Sequence, residues 1–93
     1  MTPESFNYFV KDPDALLDYS VDWTGWLCSD TIVTGTWAVP SGITEVGSSN
    51  TDEISTIWLS GGTNGQSYNI TNRIITAGGR HDDRTITISV RDK

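Results

Sequence analysis

Apolar and polar positions alternate along most of this 93-residue chain. Leu17, Tyr19, Val21 and Trp23 fall on one side of an extended segment, with Asp18, Ser20 and Asp22 on the other, the period-two mark of a strand with one wet face. From Ile54 to Arg91 the same period recurs in a run ending at Trp58-Leu59, in Ser67 to Ile74, and in Thr85 to Val90. Between these runs stand the hinge Ser60-Gly61-Gly62-Thr63-Asn64-Gly65 and the turn-like Ala77 to Asp83, so the pattern predicts a β-hairpin continued as a meander. Thr31 to Val39 is β-branched and stops at Pro40, which cannot donate to a ladder. Its phase is ambiguous: Val33, Gly35, Trp37 and Val39 form one set and Ile32 belongs to the other, so Gly35 marks a bulge or a close backbone approach. A short strand around Ile43 to Val46 is expected, followed by a mobile polar loop from Gly47 to Glu53.

Six or seven short strands at this spacing, with no helical segment of useful length, predict an all-β fold. The expected architecture is a small immunoglobulin-like antiparallel β-sandwich of about seven short strands, with a small closed barrel as the alternative. The expected inner face comprises Leu17, Tyr19, Val21, Trp37, Val39, Ile57, Leu59, Tyr68, Ile70, Ile74, Ile86, Ile88 and Val90. Residues 1–10 have no clean period and read as an aromatic leader, a candidate assembly arm through Phe6, Tyr8 and Phe9; residues 11–93 read as the single sandwich domain. Lys11-Asp12-Pro13-Asp14 is a turn in which Asp12 can make an Asx-type hydrogen bond, and Asp30 is placed to cap the turn before Thr31.

A domain of this size buries only about 60–65% of the surface of its unfolded chain, so a partner or further copies would add useful burial. The formal charge of −6 and pI near 4.3 argue against nucleic acid, which is bound by basic surfaces. The charge is also polarised. Glu4, Asp12, Asp14, Asp18, Asp22 and Asp30 face Lys11 alone in the first part, whereas Arg73, Arg80, Arg84, Arg91 and Lys93 outnumber Asp82, Asp83 and Asp92 in the last. That polarity fits attraction within one domain, or head-to-tail packing of identical subunits. No run is long enough to span a membrane and the N-terminus lacks a signal-peptide core, so use without secretion is expected.

Candidate chemistry is sparse. Cys28 is the only cysteine and His81 the only histidine, which leaves no disulfide or thiolate metal cluster. The Gly61 to Gly65 loop lacks the Lys-Ser/Thr ending of a phosphate loop and precedes a strand, so it reads as a turn. His81-Asp82-Asp83 reads as a solvated loop tip, and Asp12, Asp14 and Asp18 lack the pattern of a calcium loop. The Asn69-Ile70-Thr71 sequon matters only in a glycosylating host. No enzyme, cofactor or metal is expected. Four tryptophans are more than one small core needs, and Trp58 must point outward if Ile57 and Leu59 point inward. Trp23, Trp26 and Trp58 are therefore candidate interface anchors, beside the leader aromatics. Exposed aromatics also suit a carbohydrate-binding module, and simple cover for the sandwich edge is the plainest reading.

The blocks Lys11 to Tyr19, Asp22-Trp23, Trp26-Leu27, Asp30-Thr31-Ile32 and Thr36-Trp37 resemble a family of small tailed-bacteriophage virion proteins, the phage fibre-tail adaptors. The resemblance continues through Trp58 to Gly65, Tyr68, Asn72-Arg73, Gly79-Arg80, Asp82 to Thr85 and Val90-Arg91, leaving the leader outside. It implies a non-enzymatic structural part, made in the host bacterial cytoplasm, present in multiple copies in the virion and joining tail fibres to the tail. Capsid decoration and head-tail connection are the alternative virion roles.

Overall fold

The computed structural model describes residues 8–92. Among them are seven strands: β1 (Tyr8–Lys11), β2 (Leu17–Asp22), β3 (Ile32–Ala38), β4 (Ile43–Asn50), β5 (Ile54–Gly61), β6 (Ser67–Thr76) and β7 (His81–Val90), with one short helix, α1 (Thr24–Leu27), after β2. They form a four-stranded sheet ordered β1-β7-β6-β3 and a three-stranded sheet ordered β2-β5-β4. No strand of one sheet pairs with a strand of the other, which excludes the closed barrel. The expectation of a purely antiparallel fold needs one correction, because β1 runs parallel to β7, from Tyr8 opposite Thr87 to Lys11 opposite Val90. The last three residues of the leader are thus part of a sheet.

Period-two patterning accounts for the core. Tyr19, Val21, Ile57, Leu59, Tyr68, Ile70, Ile74, Ile86, Ile88 and Val90 are buried as expected, joined by Trp23, Leu27, Ile32 and Ile43. Trp37 and Val39 pack against this cluster half-buried, and Leu17, at the open end of β2, is 40% exposed. The ambiguous phase of β3 is resolved by a register shift between Ile32 and Thr34. Val33 is turned out there, so Ile32 and then Trp37 both reach the core. Gly35 marks a close approach: a Cβ there would lie 2.8 Å from the Ser55 hydroxyl of the facing sheet.

The predicted hairpin between Trp58 and Ser67 does not form. β5 lies in the three-stranded sheet between β2 and β4, and β6 lies in the other sheet between β7 and β3, so the glycine-rich run is a crossover. Its five residues, Gly62 to Gln66, can bridge the roughly 10 Å between packed sheets at about 3.3 Å per residue. Gly62 has φ +97°, and a Cβ on it would fall 2.6 Å from a Val90 methyl, so only glycine lets the crossover lie on β7. Gly65 N–H to Val90 carbonyl and Val90 N–H to Gln66 carbonyl, both 2.8 Å, fasten it. Two shorter corrections follow the same ladder logic. β4 continues through Asn50, opposite Ser55, which leaves only a tight turn where a mobile loop was expected. His81, Asp82 and Asp83 belong to β7, opposite Ile75, Ile74 and Arg73, and are no loop tip.

Candidate functional site: surfaces for docking

Trp23 lies between β2 and α1 and turns its indole inward, where it is fully buried. Its Nε1–H donates to Asn72 Oδ1 at 2.9 Å, while Asn72 Nδ2 donates to the Thr36 carbonyl and to Ser55 Oγ, each at 3.0 Å. Asn72 and Thr36 belong to the four-stranded sheet and Ser55 to the other, so this one buried amide joins the layers. Trp23 has no surface left for a partner and leaves the set of docking residues. Trp23 is in phase with Leu17, Tyr19 and Val21, the signal that the expected inner face left unused.

The acid-rich and base-rich ends of the sequence meet beside it. Trp26 stands edge-on to Trp23, with ring centroids 5.3 Å apart. The Arg80 guanidinium lies 4.2 Å from the Trp26 ring centre and that of Arg84 lies 4.4 Å from the Trp23 ring centre. Arg80 also donates to Asp30 at 3.1 Å and to the Leu27 carbonyl, and Arg84 donates to the Asp22 carbonyl at 3.3 Å. Asp30 accepts N–H groups of Thr31 and Gly78 as expected for a capping residue. The Thr76 hydroxyl, those two amides and Arg80 outweigh desolvation and hold its carboxyl down to about 2. Asp22 is likewise lowered, chiefly by the hydroxyl and then the amide of Thr24. The charge polarity of the sequence is therefore used inside the domain, and Trp26, half-buried beneath Arg80, is only partly available.

Lys11 was not foreseen as a core residue. It is fully buried and donates to the carbonyls of Asp12 and Gly61 at 2.9 and 2.8 Å, tying β1 to the crossover. Burial lowers its pKa, opposed by the charges of Asp12 and Asp14. A lone lysine in a sequence normally reads as solvated, so nothing in the pattern announces this role. Asp12 does accept the Asp14 N–H, completing the expected Asx turn.

Of the remaining candidates, Trp58 is 38% exposed on the outer face of β5, the central strand of its sheet, opposite Asp18 on β2 and Gly47 on β4. Tyr8 is 51% exposed on the edge strand β1. Phe9 is half-buried, its ring 5.1 Å from that of Tyr19. Phe6 lies outside the described residues. Thr36, Ala38, Thr71, Arg73 and Asp83 line a shallow groove of about 220 Å³ on the other sheet, beside the two-pronged Arg73–Asp83 pair. Among the described residues no three His, Cys, Asp or Glu side chains gather as metal ligands, and no helix is long and apolar enough to cross a membrane.

A fold with exposed aromatics on both sheets and its described lysine and arginine side chains bonded within the domain has the character of a structural part. A family profile described as the podophage GP4 fiber-tail adaptor protein gp77 matches residues 11–89. The chain belongs to that family. The fiber-tail adaptor is a structural component of the phage tail and works without catalysis. No curated protein sequence matches it. The matched span opens at the buried Lys11 and includes the Trp23, Trp26, Asn72, Arg80 and Arg84 cluster as well as Trp58.

Proposed function

We propose that this adaptor joins tail fibre to tail by binding one component on each of its two sheets. The observation that carries the reading is the placement of exposed aromatics: Trp58 on the outer face of the three-stranded sheet, Tyr8 on the edge strand of the four-stranded one. Surfaces on different layers can be occupied together without competing. The leader, with Phe6, acts in this reading as the arm that clasps the second component, and Trp26 adds to the first surface at its Arg80-covered corner. Several copies around the tail would repeat both joints under its symmetry.

An immunoglobulin-like description of the sandwich is supported by its strand order. β2-β5-β4 corresponds to strands B-E-D and β7-β6-β3 to G-F-C, with β1 added beside the last strand. Near the start of β6 the Tyr68 hydroxyl accepts the Thr63 N–H at 2.9 Å, five residues upstream, in the manner of a tyrosine corner. The paired cysteines of antibody domains have no counterpart, since Cys28 stands alone.

The test is a three-component binding assay with the full-length adaptor and the purified tail and fibre proteins of its phage. Trp58→Thr is expected to release one component and Tyr8→Ala the other, with a ternary complex only for the unaltered chain. Competition between tail and fibre for one surface would refute the two-sheet arrangement.

A further inference from the structure

The described cations are all bonded within the domain. Lys11 is buried on carbonyls, Arg80 and Arg84 lie on tryptophan rings, Arg73 is paired with Asp83 at 2.8 Å, and Arg91 donates to Ser89. The acids are divided differently. Strands β2, β4 and β5 carry Asp18, Asp22 and Glu45 and no lysine or arginine, and the turn before β5 adds Asp52 and Glu53. On the outer face of this sheet Asp18 stands directly opposite Trp58, and Asp22 opposite Ile54, which is 36% exposed. Gly47, on the other side of Trp58, presents no side chain to hold the indole off the sheet. The result is an aromatic and aliphatic centre with an acidic border, on a sheet without cations of its own.

Resting on the adaptor reading, we propose that this face receives a cationic surface of a different protein, an apolar seat for Trp58 bordered by a lysine or arginine side chain that meets Asp18. Charge complementarity selects the occupant. A second copy of this chain fits poorly, because its arginines are already engaged with its own rings, carbonyls and carboxylates. Apolar burial at the Trp58 centre supplies affinity, and the acidic border supplies orientation and association rate, which salt weakens.

The experiment measures binding of the full-length adaptor to the purified tail protein and, separately, to the fibre protein, at low and high salt. Wild-type chain is compared with Trp58→Thr, which places a strand-favouring β-branched residue at the position, and with Asp18→Lys, at an exposed residue of β2. For one partner only, Trp58→Thr is expected to weaken binding by about 30-fold and Asp18→Lys by about 10-fold, with a shallower salt dependence for Asp18→Lys. Charge reversal of the facing lysine or arginine in the partner should restore the Asp18→Lys variant. Unchanged binding of both partners by both variants overturns the proposal while leaving the adaptor reading intact, provided the ternary complex still forms. Loss with Trp58→Thr but indifference to Asp18→Lys and salt overturns the cationic partner. Self-association abolished by Trp58→Thr, or glycan binding that depends on Trp58, assigns the face to another occupant and overturns it as well. Wild-type chain that binds neither tail nor fibre protein sinks the adaptor reading, and this inference with it.

Discussion

Replacing Asn72 by alanine removes the group that joins the two sheets, and the structure allows its cost to be worked out. The amide is fully buried and makes three hydrogen bonds of 2.9 to 3.0 Å, to Trp23, Thr36 and Ser55. Truncation leaves the indole N–H and the Ser55 hydroxyl in a dry interior and the Thr36 carbonyl part-buried at the edge strand, at about 1–3 kcal/mol for each group that finds no new partner. The Ser55 hydroxyl can rotate, so two groups carry most of the cost, and the small cavity adds to it. A loss of about 3–6 kcal/mol follows, against a total of about 5–14 kcal/mol for a domain of this length. Urea unfolding followed by tryptophan fluorescence reads it directly, since Trp23 reports on the site itself. With m of about 1–2 kcal/mol/M the midpoint should fall by about 1.5–6 M, or the variant should fail to fold. Trp23→Phe removes one of the three bonds, and the double variant should be less unstable than the two single losses added together. A loss below about 1 kcal/mol for Asn72→Ala, or strict additivity with Trp23→Phe, would show that the amide is not the joint between the layers.

Other expectations concern the parts that set the shape of the two surfaces. The Asp30 carboxyl is held at about 2 in the fold against an ordinary value of 3.8, so its stabilising effect is present above pH 4 and disappears as pH falls towards 2. The melting temperature should drop over that window, and Asp30→Asn, lower at pH 6, should show a flatter acid limb. Gly62→Ala meets both a positive φ and the Val90 methyl, and should cost more than about 2 kcal/mol in denaturant unfolding. Gly61→Ala, at φ +76° with open space around the added carbon, should cost only about 1 kcal/mol. Arg80→Lys keeps the charge but loses the planar stack on Trp26 and the reach to both Asp30 and Leu27. Its melting temperature should fall by several degrees with a changed Trp26 fluorescence.

Alternation made the strands and most of the core legible, because a half-buried strand leaves a period-two trace whatever its neighbours are. It placed Trp58 outward from Ile57 and Leu59. Trp23 shares the phase of Leu17, Tyr19 and Val21, yet the surplus of tryptophans led to its assignment as a docking residue, and the structure buries it. What alternation cannot convey is pairing. The run from Gly61 to Gly65 suits a hairpin turn and a sheet-to-sheet crossover equally, and the choice depends on Gly62 against Val90, a contact between residues far apart in sequence. The four residues of β1 are too few to show a period, so their parallel pairing with β7 left no trace either. Lys11 and Arg84 were illegible for a related reason. Whether a cation faces water, a carbonyl or an indole is decided by tertiary neighbours and not by the residue itself. The charge polarity was plain in the sequence, but only the packing of Arg80 and Arg84 on Trp26 and Trp23 reveals that it is used within one domain, leaving the three-stranded sheet acidic.

The most direct test of the two-sheet adaptor is a cryo-EM reconstruction of the phage tail at side-chain resolution. The account expects Trp58 and Asp18 covered by a basic surface of one neighbouring protein, and β1 with Tyr8 covered by a second. Trp58 open to solvent in the assembled tail, or tail and fibre proteins both seated on one sheet, would contradict it.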